Sequence, residues 1–330
     1  MARTLRTAFT DLVGCTVPIQ QAGMGPLANP GLAEAVANAG GQGMVSVHWM
    51  PEDVLARMLD DLRRRTSGVV GCNFLRPATR EKIRERVAVA AARCRVVDFF
   101  WDTPDPGLVK IVHDQGALAC WQVGSRDEAL HAADAGCDFI VAQGIEAGGH
   151  VRGQSTLLAL LDAVLPEVSV PVLAAGGIAT GRDLAAVLAA GASGVRVGTR
   201  FAASEEAGAH PVYLNALIAA GAEDTVYTEA FSVGWPDAPH RVLRASLLAA
   251  ERFEGTTVAE LIDPDTGERD AIPRFWPYPA TKDVTGHIEA MPHWAGMGVG
   301  AIRSVQPAGQ IVAEMAAEAL ALLGKWSAPR

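Results

Sequence analysis

One histidine of the sequence, His150, has a setting that suits acid–base chemistry. It ends the stretch Gln143–His150 (QGIEAGGH), which follows an apolar run typical of a buried strand. The two glycines before it allow the backbone to approach a ligand closely, and an imidazole with a pKa near ~6.5 exchanges a proton near neutrality. We therefore predict that His150 is catalytic, either as a general base or as a hydrogen-bond donor to a ligand that becomes anionic. His48, which follows the second apolar run, is the second candidate.

Two glycine-rich segments predict a phosphate site. They are Ala174–Ile178 (AAGGI) and Val197–Arg200 (VGTR), and each continues an apolar run. Glycine leaves backbone N–H groups open to an oxyanion, the N-terminus of a following helix adds positive potential, and Thr199 carries a hydroxyl donor. Either segment alone is also compatible with a simple tight turn, but the two together favour phosphate.

Small and uncharged polar residues near other strand ends suit a flat cofactor. The segment Gln20–Pro26 (QQAGMGP) surrounds one methionine with small residues, so that a flavin ring could lie against its backbone. Asn73 and Gln122 end two further apolar runs and suit the hydroxyls of a ribityl chain. An ordinary turn and buried amides bonded only to protein have the same sequence pattern, so both interpretations stay open.

All of these residues follow strands of one predicted architecture. Eight apolar runs begin near Val17, Gly43, Val69, Arg95, Ala117, Asp138, Pro171 and Gly194, and helical segments separate them. Strands that are apolar on both faces and are each followed by a helix indicate a parallel sheet, and eight such units match a (β/α)₈ TIM barrel. An open doubly wound sheet shows the same alternation. Glycine-rich segments after the first, sixth, seventh and eighth runs favour the barrel, whose active site is built from the loops at the carboxyl ends of its strands.

The alternation stops near His210, which predicts three parts of the chain. Residues 1–209 form the barrel, residues 210–300 form a lid that caps the substrate, and residues 301–330 form a terminal helix that packs back on the barrel. The middle part is too long for one loop and is rich in Trp, Pro and His. Its tryptophans Trp235, Trp276 and Trp294 either line an apolar pocket or form the core of the lid itself.

Composition excludes several classes of protein. Of 330 residues, 49% are hydrophobic and 20% charged, which is enough to build a large core and excludes a disordered chain. The formal net charge of −9 argues against a nucleic-acid partner. The N-terminus shows no secretory signal, and no apolar stretch approaches the ~18 residues of a membrane span, so we expect a cytoplasmic protein without a membrane partner.

Motif spacing excludes further kinds of site. The five cysteines form no C-x-x-C pair, and the histidines form no H-x-x-x-H pair, so we expect no metal site. No G-x-S-x-G motif occurs, which argues against a hydrolase with a nucleophile elbow. The sequence leaves the oligomeric state open, a homo-oligomer included.

With these motifs the chain resembles the nitronate monooxygenase family, formerly called 2-nitropropane dioxygenases. The likeness covers roughly residues 15–232, the Trp-Ala-Gly near Trp294 and the terminal helix. Its most specific element is Gln143–His150. It is backed by PIQQAGMG at Pro18–Gly25, GCNF at Gly71–Phe74, AAGGI at Ala174–Ile178 and GTRF at Gly198–Phe201.

The resemblance implies an FMN-dependent TIM-barrel enzyme and a role for each matching residue. By likeness, the isoalloxazine contacts are Gly23, Met24 and Gly25, and the residues that hold the ring edge or ribityl chain are Asn73, Gln122 and Gln143. Gly148 and Gly149 approach the cofactor, and the phosphate contacts are Gly176, Gly177, Gly198 and Thr199. His150 matches the catalytic histidine, which takes a proton from a nitroalkane or stabilises a bound nitronate. Nitronate and O₂ then yield a carbonyl compound and nitrite without NAD(P)H.

Three departures from the family concern the substrate more than the cofactor. Many members carry Lys where this chain has Gln122, a Gly-Arg continuation is replaced by Val233–Asp237, and Met297 stands where Gln is common. An NAD(P)H-dependent reductase of quinones or enoyl thioesters on the same scaffold is therefore the alternative. A third possibility is a non-catalytic binder of a phosphate ligand, which His150 and the two phosphate segments disfavour.

Overall fold

Strands and helices alternate through the first part of the chain. The computed structural model describes residues 5–47, 50–75, 80–263 and 266–326. In these ranges the strands are β1 (Ile19–Gln21), β2 (Gln42–Ser46), β3 (Val69–Leu75), β4 (Val96–Phe100), β5 (Leu118–Val123), β6 (Phe139–Gln143), β7 (Gly149–His150), β8 (Val172–Ala175), β9 (Gly194–Val197), β10 (Thr225–Thr228), β11 (His240–Leu243), β12 (Thr257–Ile262), β13 (Arg269–Pro273) and β14 (Val284–Gly286). The α-helices are α1 (Ala8–Val13), α2 (Pro30–Asn38), α3 (Glu52–Arg65), α4 (Arg80–Ala91), α5 (Pro106–Asp114), α6 (Arg126–Asp134), α7 (Leu157–Val164), α8 (Gly181–Ala189), α9 (Thr199–Ala202), α10 (Pro211–Ala219), α11 (Arg244–Arg252) and α12 (Ala308–Trp326).

Eight of these strands close into a parallel barrel. Their order is β1-β2-β3-β4-β5-β6-β8-β9, and β9 returns to pair with β1 so that Gln20 lies opposite Arg196. Each barrel strand falls in one of the eight apolar runs of the sequence, so the predicted (β/α)₈ fold is confirmed. The helices cover the outside of the barrel, where leucine and valine side chains of helices and strands form the largest core.

A short helix that the sequence analysis did not predict, α1, closes the amino-terminal end of the barrel. Thr7 and Thr10 form a capping box at its start. Phe9 and Val13 then pack with barrel-interior residues of β4, β5, β6 and β8, and the ring of Phe9 meets the ring of Phe139 edge-on at 5.3 Å. This apolar plug leaves the carboxyl ends of the strands as the open mouth of the barrel.

Residues after about 202 contribute most of a second apolar core, over the mouth of the barrel. Two antiparallel three-stranded sheets lie here, ordered β10-β11-β7 and β13-β12-β14. The first sheet takes β7 from the barrel part of the chain, although its other strands come from residues 225–243. The three-part division into residues 1–209, 210–300 and 301–330 remains our proposal.

The terminal helix α12 packs back against α2 and α8 on the barrel surface. It buries Ile311, Met315 and Ala319 at helical spacing. Neither α12 nor any other helix in the described ranges is both long and apolar enough to cross a membrane.

We expect Phe9→Ala to destabilise the protein strongly. Phe9 is fully buried at the end of the barrel, so that its removal leaves a cavity that costs about 3–5 kcal/mol in the free energy of unfolding. Leu158→Ala is the matched control, because Leu158 is 58% exposed on α7 and its loss should change the free energy by under about 0.5 kcal/mol. Urea unfolding measures both variants. Equal effects would show that α1 does not plug the barrel.

Candidate active site

A cavity of about 550 Å³ opens at the carboxyl ends of the barrel strands, under the second core. Every described residue that the sequence analysis assigned to the site lines it: Gly23, Met24, Gly25, Asn73, Gln122, Gln143, Gly148, Gly149, His150, Gly176, Gly177, Gly198 and Thr199. The predicted site is therefore one place in the fold. The second candidate base, His48, lies outside the described residues.

The segment that carries His150 is held from both sides. Its two residues Gly149 and His150 form β7, which pairs with β11 so that His150 lies opposite His240. From the barrel side, the Gln143 side-chain amide donates to the His150 carbonyl at 2.9 Å and accepts from the Arg152 N–H at 3.4 Å. The carboxamide of Gln143 thus positions the histidine segment, a role that the sequence analysis did not predict.

Gly148 and Gly149 serve the same segment in different ways. Gly149 has φ +71°, a left-handed conformation that favours glycine. A Cβ atom on Gly148 would lie 2.3 Å from the backbone nitrogen of Gly296, so that only glycine lets the two backbones pack. We predicted that Gly148 approaches the cofactor, and the structure adds a close approach to the chain over the mouth.

The imidazole of His150 lies in a group of three tryptophans. It stacks on Trp235 with 3.9 Å between ring centroids, and the rings of Trp294 and Trp101 lie at 5.4 and 5.5 Å. Its Nε2 atom is buried and has no hydrogen-bond partner among the described residues. Because burial disfavours the charged ring, and His240 nearby adds to this, the pKa of His150 falls from 6.5 to about 3. His150 is therefore neutral near pH 7, and its buried Nε2 is free to bind a ligand atom.

His240, the neighbour of His150 across the β7–β11 pair, has both ring nitrogens in use. Its Nδ1 lies 2.9 Å from the Ala238 carbonyl, and its Nε2 accepts from the Phe231 N–H at 3.2 Å. These partners assign the tautomer with the proton on Nδ1. Burial lowers the pKa of His240, so it is a neutral structural residue.

The two glycine-rich segments have backbone donors without protein partners. Gly176 and Gly177 follow β8 with φ +112° and +70°, and Gly198 and Thr199 follow β9. Within the described part of the chain, the N–H groups of Gly177 and Thr199 donate to no protein atom. The Thr199 hydroxyl accepts from the Gly296 N–H at 3.0 Å, which leaves its own proton free to donate. All three donors belong to residues that line the cavity, and together they suit a phosphate.

Two side-chain amides, those of Asn73 and Gln122, also belong to residues that line the cavity. Asn73 donates through Nδ2 to Asp98 at 2.6 Å, and Gln122 accepts through Oε1 from Arg196 at 2.6 Å. The remaining atoms, Asn73 Oδ1 and Gln122 Nε2, are thus an acceptor and a donor. A Cβ atom on Gly23 would lie 2.3 Å from Asn73, so that glycine is required where this loop crosses the amide.

The sequence analysis did not single out Asp98, Arg196 and Trp101, which lie in or beside the site. Asp98 and Arg196 stand inside the apolar runs RVVDFF and GVRVGT, where a charged residue in a buried strand was the available signal. Trp101 follows β4 at the mouth of the barrel and has φ +73°, which is rare for a side chain of this size. The described residues include no cluster of three or more His, Cys, Asp or Glu that could hold a metal ion.

Known proteins share these motifs and this architecture. The family model for nitronate monooxygenase matches residues 6–318. The enzyme (3aS,4S,5R,7aS)-5-hydroxy-7a-methyl-1-oxo-octahydro-1H-indene-4-carboxyl-CoA dehydrogenase of Rhodococcus jostii is 35% identical over 258 residues, which cover 76% of this chain and 69% of the relative. FabK from Thermotoga maritima superposes with a TM-score of 0.79 at 30% identity, covering 97% of this chain and 98% of FabK. Nitroalkane oxidase from Streptomyces ansochromogenes superposes with a TM-score of 0.77 at 29% identity, covering 97% and 100% of the two chains.

The low pKa of His150 predicts a loss of stability in acid. The unfolded chain takes up a proton at this residue near pH 6.5, whereas the folded protein does so only near pH 3. The unfolded state therefore binds more protons between these values, and the stability present above pH 6.5 is lost as the pH falls, by at most about 1.4 kcal/mol per pH unit. We expect His150→Phe, which keeps a ring against Trp235, to lose stability less steeply.

Urea unfolding at a series of pH values measures this effect. The exposed His131→Gln on α6 is the control and should follow the unmodified protein. A His150→Phe curve parallel to that of the unmodified protein would show that His150 titrates normally in the folded state.

Proposed function

The chain belongs to the nitronate monooxygenase family, and from this premise we propose that it is an FMN-dependent nitronate monooxygenase. It oxidises alkyl nitronates or nitroalkanes with O₂ to a carbonyl compound and nitrite. The observation that carries the proposal is the buried, unpartnered Nε2 of His150 in the same cavity as the two glycine-rich loops. A buried polar atom without a protein partner is rare, and one that belongs to a residue lining a cavity suits a hydrogen bond to a ligand atom.

The residues that line the cavity include partners for both the phosphate and the ring of FMN. The N–H groups of Gly177 and Thr199 and the Thr199 hydroxyl suit its phosphate. Asn73 Oδ1 and Gln122 Nε2 suit the polar edge of its ring, beside the narrow loop at Gly23. When bound, FMN supplies the electron acceptor for the nitronate. For the other predicted cofactor residues we propose the roles that the resemblance implies. Met24 and Gly25 contact the isoalloxazine, and Gln143 holds the ring edge or ribityl chain. Gly148 and Gly149 approach the cofactor, and Gly176 and Gly198 contact its phosphate.

His150 binds the nitronate or nitro group of the substrate and donates or accepts a proton there. Because the imidazole is neutral, one ring nitrogen carries a proton and the other a lone pair, so the residue can either donate to a nitronate oxygen or accept the proton of a neutral nitroalkane. A pKa of about 3 makes it a weak proton acceptor in the closed site. A nitronate is already deprotonated, and we therefore propose that nitronates are better substrates than the parent nitroalkanes.

Aromatic side chains above His150 receive the apolar part of the substrate and exclude water. Trp235 and Trp294 lie against the His150 ring, and Trp276 and Tyr278, whose rings stack at 5.3 Å, also line the cavity. The faces of these rings are apolar and suit an alkyl group. Because the rings exclude water from the cavity, hydrogen bonds from His150 are stronger there than in water.

An NAD(P)H-dependent reductase on the same scaffold is the second candidate. The observation in its favour is the 35% identity with a relative named a carboxyl-CoA dehydrogenase. Gln122 is also one of the departures from the family pattern that concern the substrate. Quinones or enoyl thioesters are the substrates that we propose for this candidate.

Anaerobic rapid mixing distinguishes the two functions. We expect ethyl nitronate to reduce the bound flavin within seconds, seen as a loss of absorbance near its visible maximum, while NADH and NADPH leave the spectrum unchanged over the same time. The reason is that a nitronate needs no hydride donor. Rapid bleaching by NADH or NADPH, with none by the nitronate, would assign the reductase function instead. Protein that takes up no FMN would overturn both.

Removal of the imidazole tests the role of His150. We expect His150→Ala to keep its flavin and to lose kcat/KM for neutral nitroethane by about 10²–10⁴, the usual contribution of a general base. With ethyl nitronate the loss should be under about tenfold, because no carbon-bound proton has to be removed. The exposed His131→Ala on α6 is the control for both substrates. Full activity of His150→Ala with nitroethane would place the proton acceptor elsewhere, and His48 would be tested next.

A further inference from the structure

A buried ion pair lies beneath the cavity. Arg196 on β9 and Asp98 on β4 are 4% and 0% exposed, and Arg196 Nη2 lies 2.7 Å from Asp98 Oδ1. Burial of two charges costs free energy that their attraction seldom exceeds, and an apolar pair of the same size is often as stable. The pair therefore calls for an explanation beyond the stability of the barrel.

The guanidinium of Arg196 lies close to three side-chain oxygen atoms. Besides Asp98, it donates through Nε to Gln20 at 2.6 Å and through Nη1 to Gln122 at 2.6 Å. Because the carbonyl oxygen of Gln122 is used in this way, its NH₂ group is the part left to face the cavity. Arg196 itself lines the cavity, whereas Asp98 does not.

Asp98 orients the other side-chain amide, that of Asn73, so that its oxygen rather than its NH₂ group is left unbonded. Its Oδ2 accepts from the NH₂ group of Asn73 at 2.6 Å, so that the Asn73 oxygen is left to face the cavity. One ion pair thus fixes an acceptor at residue 73 and a donor at residue 122. This combination matches the edge of a cyclic imide, where an N–H group lies beside carbonyl oxygens, as in the pyrimidine part of a flavin.

We propose that Arg196, fixed by Asp98, is the positioning residue for the flavin edge and supplies a positive charge beside it. Its charge lies nearer to the cavity than the balancing carboxylate. The potential at the ring edge is therefore positive, which favours the negative charge that reduction adds to a flavin. The inference rests on the proposed flavin site, and it does not depend on which substrate reduces the flavin.

Opposite charge changes in the flavin-loaded protein test this inference. The readout is the midpoint potential of the bound flavin, measured by equilibration with redox dyes. We expect Arg196→Gln to lower the equilibrium constant for two-electron reduction at least tenfold, which is about 30 mV. Asp98→Asn should raise it by a similar factor, because it leaves the guanidinium uncompensated while an oxygen remains for Asn73. Arg196→Lys keeps the charge and should stay within about threefold.

A role confined to holding the barrel together does not predict shifts of opposite sign. Shifts in the same direction, or potentials unchanged in both variants, would overturn the inference. If one single variant does not fold, the other decides: a fall of at least tenfold in Arg196→Gln, or a rise of that size in Asp98→Asn, supports the inference, and an unchanged or opposite potential overturns it.

The same protein separates this inference from the proposed function. Flavin that dyes reduce but nitronates do not would overturn the nitronate monooxygenase activity, and the potentials of the variants would still decide the role of Arg196. Normal nitronate activity with unshifted potentials would overturn the inference alone. Protein that binds no flavin would overturn both.

Discussion

The pairing of β7 with β11 is the interaction on which the site depends. It fixes only two residues, yet it joins the loop after β6 to the chain that crosses the mouth of the barrel. Backbone bonds on either side extend it, from the Val151 N–H to Pro239 at 2.8 Å and from the Met297 N–H to Glu146 at 2.9 Å. The Arg241 guanidinium adds a bond to the Ile145 carbonyl at 2.8 Å. The barrel holds the histidine segment through Gln143, and residues that follow the barrel in the chain hold it from the other side.

This arrangement explains why the histidine is both accessible to a ligand and neutral. The chain over the mouth places Trp235 and Trp294 against the ring, and the barrel places Trp101 there. Apolar rings on several sides remove water, so the charged imidazolium is disfavoured, as its pKa near 3 shows. Since Nε2 still has no protein partner, the burial that suppresses the charge also leaves a strong preference for a ligand at that atom.

Local patterns in the sequence predicted the barrel and most of the site, because both follow from short-range rules. Apolar runs give the eight strands, and residues at their carboxyl ends must meet at one mouth, which is why Asn73, Gln122, His150 and Gly176 lie in one cavity. The strand β7 could not be predicted in this way. It has two residues and no periodicity, and it exists only because β11, about ninety residues later, pairs with it. The arrangement of the Trp-rich segment could not be predicted either, because it too depends on contacts between distant parts of the chain.

The sequence did not predict the ion pair, because each of its residues stands inside an apolar run. The register of the strands explains how the pair forms. Arg196 lies opposite Gln20 across β9 and β1, and Asp98 lies opposite Asn73 across β4 and β3, so that each charge has one polar neighbour by backbone pairing alone. In such a barrel, inward side chains from alternate strands lie in common layers. Arg196 and Asp98 therefore meet in the interior, although β9 and β4 are not neighbours in the barrel. A charge needed at one point of the mouth can accordingly come from any strand that contributes to the same layer. A residue such as Arg196 is therefore found only by following the layer around the barrel.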